Sequence, residues 1–220
     1  MAKHNSRIDH VEALRREYKR DGISEESVQD SPISQFGVWF EEALESDLTD
    51  ANAMTLATAT ADGKPSSRIV LLKGFDDDGF RFYTNYASRK GKELEENPHA
   101  ALCFYWPALE RQVRIEGKVS KLSREQSAKY FQSRPRDSQI GAWASNQSSE
   151  LVSREQLETK FEEFSQKFEG KDVPLPDFWG GYRLNPHKIE FWQGRTGRLH
   201  DRIVYQKNNK GNWSIRRLSP

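Results

Sequence analysis

Apolar positions recur at two different periods along this chain. Over residues 33–48 they fall three and four apart and put Phe36, Trp39, Phe40, Ala43 and Leu44 on one side, which predicts a helix laid on a core. The period then drops to two. Residues 53–60 are small and β-branched, Asp62-Gly63 is a hairpin turn signal, and residues 67–75 form an apolar run interrupted by Arg68 and Lys73. The aromatic alternation of residues 80–84 predicts a third strand, and with it a three-stranded meander. Ser88 is placed to cap a helix over residues 89–96, which Asn97-Pro98 ends before strands over 100–106 and 111–122. In the second of these, Val113, Ile115, Gly117 and Val119 alternate with charged neighbours, so one face is wet.

Two capping-box patterns, Ser123 with Gln126 and Ser153 with Gln156, start further helices, the second carrying Leu157, Phe161, Phe164 and Phe168 on one face. Residues 173–176 read as an extended linker, followed by short strands over 179–184, 189–192, 199–206 and 213–218. No internal repeat interrupts this order. The pattern is that of a mainly β fold with peripheral helices (α+β), one domain over residues 32–220, and its strand count suggests a closed barrel. Residues 1–31 are charged and poor in apolar side chains, with Val11, Leu14 and Tyr18 at helical spacing: a short helix on a mobile arm.

Composition narrows the function classes. Lys and Arg number 34 against 33 Asp and Glu, a net charge of +1, so no global field draws the chain to nucleic acid or an anionic membrane, and any basic site is local. A single cysteine, Cys103, excludes an internal disulfide framework and a cysteine metal cluster and fits a reducing compartment. No apolar run approaches the roughly 20 residues that span a bilayer, and the opening MAKHNSRIDH lacks a secretory apolar stretch. The expected location is cytoplasmic. A mean hydropathy of −0.89 would suit a disordered chain. Against that, 11% aromatic residues, six of them Trp, imply packing.

The candidate chemistry lies in basic clusters. Arg68 and Lys73 lie five positions apart, which puts them on opposite faces of one strand unless a bulge intervenes. Tyr83, Thr84 and Asn85 end a strand just before Ser88, Arg89 and Lys90, so hydroxyls, free helix N–H groups and two cations converge as a phosphate site would require. Residues 130–138 hold Tyr130, Arg134, Arg136 and Ser138 around Pro135 in a short loop, a second anion site. Gly194 and Gly197 permit a tight turn, after which Arg198, His200 and Arg202 share one strand face by the period of two. Dinucleotide-fold, P-loop and zinc-hydrolase motifs are all missing from the sequence, and no metal site is expected.

These segments together resemble the pyridoxamine/pyridoxine 5′-phosphate oxidase family. The resemblance is carried by Arg68 to Lys73, Phe82 to Asn85, Ser88 to Lys90, Glu110 to Gln112, the long run from Tyr130 to Trp143, Gln147 to Ser149, Phe178 to Gly181, and Arg198 to Arg202, and it runs from about Arg15 to Pro220. It implies a split β-barrel homodimer with FMN between the subunits, oxidising a B6 vitamer phosphate, the amine or the alcohol, with O2. Implied FMN contacts are Arg68, Ile69, Val70, Leu71, Lys73, Tyr83, Thr84, Ser88, Arg89, Lys90, Gln112, Gln147, Ser148, Trp192 and Arg202. Implied substrate contacts are Lys73, Tyr130, Arg134 and Ser138 at the phosphate, Arg198 and His200 beside the reacting ring as catalytic residues, and Arg15, Arg16 and Tyr18 from the N-terminal segment. A split-barrel flavin reductase and a non-catalytic carrier of pyridoxal phosphate or flavin are the rival readings. A nucleic-acid-binding barrel is disfavoured by the near-zero net charge.

Overall fold

In the computed structural model, which describes residues 16–220, the first amphipathic segment is helix α1, Pro32–Leu44. Ser31 caps it by accepting the Ile33 N–H at 3.2 Å, and Pro32 stands in the first turn, where no backbone donor is needed. Phe36, Trp39 and Ala43 are buried; Leu44, expected beside them, is 60% exposed because the helix ends there and the chain turns away. Phe36 packs edge-on against Phe75 and Phe80, both at 4.9 Å between ring centroids, which fastens α1 to the sheet. The helix expected around Val11, Leu14 and Tyr18 falls largely outside the described residues, and residues 16–31 are irregular with one turn.

Among the described residues nine strands form one antiparallel sheet: β1 Ala53–Ala59, β2 Pro65–Leu71, β3 Gly74–Asp76, β4 Gly79–Asn85, β5 His99–Trp106, β6 Arg111–Lys121, β7 Trp179–Gln193, β8 Asp201–Lys207 and β9 Trp213–Leu218. Their order is β2-β1-β5-β6-β7-β4-β3, with β8 on β7 and β9 on β8. Alternating residues of the central strands, Leu56, Leu102, Phe104, Val113, Ile115, Ile189, Phe191 and Ile203, are fully buried on the inner face.

The expected meander does not form. β4 pairs with β3 and β7, not with β2, because the chain breaks at Leu72 and Lys73. There Leu72 N–H donates to Asn52 O and Lys73 N–H to Arg81 O, each at 2.8 Å, so two neighbouring residues join opposite ends of the strand order. The sheet is thereby rolled up, yet no ladder links β2 to β3, so the barrel is split and not closed.

β7 is a single strand of 15 residues where two were expected. Pro186, between the two expected strands, lies opposite Gly117 at a β-bulge, a place where a residue without an N–H is tolerated. A Cβ on Gly117 would come within 2.2 Å of Asn185 O, so glycine is required for this close approach. The first half of β7 pairs with β4 and the second with β8, which bends the sheet around the core.

Helices α2 Arg89–Glu96, α3 Arg124–Gln132, α4 Arg136–Ala144 and α5 Arg154–Lys167 lie outside the sheet. Ser123 and Gln126 form the expected capping box, whereas Ser153 makes no side-chain cap and Gln156 accepts the Val152 N–H instead. α4 occupies part of what the sequence presents as a loop; Pro135 is its N-cap, and Arg134 lies in the turn between α3 and α4. Phe131, Ile140, Phe168, Val173 and Trp179 make a second, smaller core that fixes α3, α4 and α5 against β4 and β7, whereas α2 joins the main core through Leu94.

Candidate functional site

β2 is an edge strand, so half of its backbone N–H and C=O groups have no ladder partner. Beside it opens a cleft of about 490 Å³. Arg68, Ile69, Val70, Leu71 and Lys73 form one wall, Tyr83, Thr84 and Lys90 the floor, and Tyr130, Arg134, Ser138, Gln147 and Trp179 the opposite wall. The break after Leu71 resets the alternation along the chain, which is how Arg68 and Lys73 come to line the same space. Among the described residues four cations line this cleft and no carboxylate does.

Two of the cations, Lys90 and Arg68, are held by hydrogen bonds. Lys90 is 9% exposed, and its Nζ donates to Gln147 Oε1 at 2.9 Å and Thr84 Oγ1 at 3.2 Å, both neutral. Burial, reinforced by the charge of Arg68, pulls its pKa down to about 8. Arg68 lies 3.3 Å from Glu93, a carboxylate that also accepts from Ser66 at 2.6 Å and from Thr58. Burial opposes ionisation of Glu93, but the hydrogen bonds from Ser66, Thr58 and Arg89 outweigh it and bring the pKa down to about 2.

Across the cleft, the guanidinium of Arg134 lies 4.8 Å over the Trp179 ring, and its Nη1 is buried without a hydrogen-bond partner. Tyr83 and Tyr130 stack at 3.9 Å, nearly parallel, with Trp179 beyond at 5.6 Å from Tyr83. An orphaned guanidinium nitrogen and a buried ammonium with only neutral partners both fit anionic oxygens. The free edge of β2 fits a flat heterocycle bearing donors and acceptors.

Other sequence-derived candidates lie elsewhere. Ser88 caps α2, donating to Asn85 O at 2.7 Å and accepting the Gly91 N–H, and does not line the cleft. Arg89 turns outward to Glu93 at 2.8 Å and lines an adjoining cleft with Lys92 and Ser148. Arg136 does not hold an anion site: it donates to the carbonyls of Lys171 and Phe168. Arg15 lies outside the described residues.

Gln112, Trp192 and Arg202 are direct cross-strand partners, one row across β6, β7 and β8. Arg202 grips Glu190 with Nε at 2.9 Å and Nη2 at 3.1 Å. The common strand face expected for Arg198, His200 and Arg202 is not formed, because β8 begins only at Asp201. Arg198 closes a 3₁₀ turn with φ +61°, and His200 follows it with its ring 4.7 Å from Trp192. His200 Nδ1 accepts the Arg195 N–H at 3.1 Å, Nε2 has no hydrogen bond among the described residues, and burial together with the Arg198 charge lowers its pKa. Tyr18 stands edge-on to both His200 and Trp192, at 5.4 and 5.6 Å. The roles of two carboxylates escaped the sequence reading. Glu93 was signalled only by its i,i+4 spacing from Arg89, and Glu110 only as part of the segment Glu110 to Gln112, with no role assigned.

A rolled antiparallel sheet with a basic cleft at its free edge strand defines a split-barrel protein, and comparison with known proteins agrees. A pyridoxamine 5′-phosphate oxidase family model matches residues 40–168, and a pyridoxine 5′-phosphate oxidase C-terminal dimerisation region matches residues 179–220. The chain belongs to the pyridoxamine 5′-phosphate oxidase family. It is 58% identical over 207 residues to the pyridoxine/pyridoxamine 5′-phosphate oxidase of Rubrobacter xylanophilus, covering 94% of this chain and 95% of that one. Identity to the corresponding protein of Nostoc sp. strain PCC 7120 is 56%, covering 94% and 97%. Among solved structures, PhzG of Burkholderia lata 383, in complex with tetrahydrophenazine-1-carboxylic acid, superposes with a TM-score of 0.87 at 33% identity over 93% of this chain and all of that one. A pyridoxamine 5′-phosphate oxidase-related, FMN-binding protein of Nostoc punctiforme shares the fold, with a TM-score of 0.71 at 19% identity over 86% of this chain and 98% of that one.

Proposed function

We propose that this chain catalyses the FMN-dependent oxidation of pyridoxamine 5′-phosphate or pyridoxine 5′-phosphate to pyridoxal 5′-phosphate, with O2 reduced to H2O2; the amine substrate also takes up water and releases its nitrogen as ammonia. The observation that carries this reading is the buried, unpartnered Nη1 of Arg134 in a cleft shared with Lys73, Tyr130 and Ser138. A phosphate monoester supplies the missing acceptors there. Arg68, Lys90, Thr84 and Gln147, with the β2 edge at Ile69, Val70 and Leu71, would hold FMN, its phosphate on the cations and its ring on the backbone. FMN held there would supply the redox chemistry, the two-electron oxidation of the 4′ carbon and the transfer of those electrons to O2. Fixing the substrate phosphate turns binding energy into orientation of that carbon.

One chain does not gather all the family-implied residues into one cleft. The Gln112–Trp192–Arg202 row stands on β6 to β8, and Arg198 and His200 in the turn between β7 and β8, away from the residues that line it. A homodimer reconciles them, the second copy presenting its row to the open side of the first copy's cleft. In the same reading, residues 32–220 form one domain. No helix among the described residues is long and apolar enough to cross a membrane, and we assign the chain to the cytoplasm. The test is to mix FMN-loaded protein with pyridoxamine 5′-phosphate in air. Equimolar aldehyde and peroxide over many turnovers are expected, and bound yellow flavin without turnover, or turnover only with NADPH, overturns the reading.

A further inference from the structure

Glu110 is 5% exposed and adopts φ +56°, a left-handed conformation that a side chain with a Cβ rarely takes without a local reason. Its two ends bind different parts of the chain. The carboxylate accepts the backbone N–H groups of Lys19 at 2.9 Å and Arg20 at 3.2 Å on Oε2, and Arg16 Nη2 at 3.2 Å on Oε1. Its backbone carbonyl accepts Gly194 N–H at 2.8 Å and Gln193 Nε2 at 3.2 Å at the end of β7. Tyr18, between the anchored residues, is thereby pressed onto Gly194, where a Cβ would lie 2.7 Å from the Tyr18 ring. The same ring meets His200 and Trp192 edge-on.

We propose that Glu110 is a positioning residue, which holds residues 16–20 so that Tyr18 closes over His200 and Trp192. The inference rests on the oxidase reading for its kinetic consequence, while the anchoring itself does not. Losing the carboxylate releases the segment without removing any group that touches substrate. The left-handed turn is what aims the carboxylate at the arm and the carbonyl at β7 together.

The experiment compares full-length, FMN-loaded wild type with Glu110→Gln, Tyr18→Ala and their double variant. Glu110→Gln is expected to raise the KM for pyridoxamine 5′-phosphate about tenfold, with a smaller change in kcat, and to speed trypsin cleavage after Arg16 or Arg20. The double variant should have a KM no higher than the worse single variant. Lys19→Pro removes one donor to the carboxylate while leaving Glu110 and its turn intact, and it should reproduce the KM rise even if Glu110→Gln folds poorly. A lower Tm with wild-type KM and cleavage rate would make Glu110 merely structural and overturn the proposal, as would multiplicative effects in the double variant. If the wild type turns over neither vitamer, the oxidase reading fails and the cleavage rates alone decide whether Glu110 holds the arm.

Discussion

Lys90 Nζ and Gln147 Oε1 meet at 2.9 Å, joining α2 to the segment that follows α4. Neither this partner nor Thr84 offsets the ammonium charge, and its pKa falls to about 8. The ammonium is charged below that value and neutral above it, and a bound phosphate favours the charged form. FMN affinity is therefore expected to fall as pH rises past 8, approaching about tenfold per unit, in fluorescence titrations of the flavin-free protein. Lys90→Met should bind weakly at pH 7 and show no such slope.

Arg134→Ala is expected to raise the KM for the phosphorylated substrate by about 10- to 100-fold, the worth of a charge-assisted hydrogen bond, and to change kcat much less. Arg134→Lys should recover only part of the loss, because an ammonium cannot lie flat on Trp179 and reach the phosphate with a fork. Steady-state kinetics decide this, and an unchanged KM in Arg134→Ala would remove the phosphate from this wall of the cleft.

His200→Ala and Arg198→Ala are expected to lower kcat at saturating substrate, by about 100-fold or more if either group moves a proton or stabilises charge at the reacting centre. Wild-type turnover in both variants would take them out of the reaction.

Glu93 contributes to stability through its depressed pKa. The contribution is present above the ordinary carboxylate value of 4.5 and is lost as pH falls toward about 2. Its size is about 3 kcal/mol at most. Glu93→Gln should be less stable than wild type at pH 7 in urea unfolding, with the gap closing between pH 5 and pH 2. A gap independent of pH would mean that Glu93 acts by packing and not by charge.

Local chemistry made much of the fold readable. Ser88 and Ser123 cap the helices they announce, and the inward alternation of Val113, Ile115 and Val119 is that of β6. What failed was long-range. Nothing near Pro186 says that Gly117 will face it across a bulge, so one strand reads as two. The run of residues 67–75 looks continuous because its break at Leu72 and Lys73 depends on β4 pairing with β7. The candidate site followed the same rule. Arg134, Lys73 and Lys90 were legible as cations in unusual company, whereas the roles of Glu93 and Glu110 depend on partners 25 to 94 positions away. The period of two misplaced Arg198 and His200, since the turn through Gly197 carries past them before β8 begins.

The pairing of β4 with β7 also sets an order of assembly. Phe80 meets Leu184, about a hundred residues further on, whereas β1 meets β2 through a short hairpin. Closing so long a loop is slow relative to closing a hairpin. Tyr83 and Thr84, the floor of the cleft, gain their final position only with that closure. A chain still being synthesised can therefore build its first hairpin early but has no finished cleft until Trp179 to Leu184 have left the ribosome, so loading with a ligand waits for that late pairing.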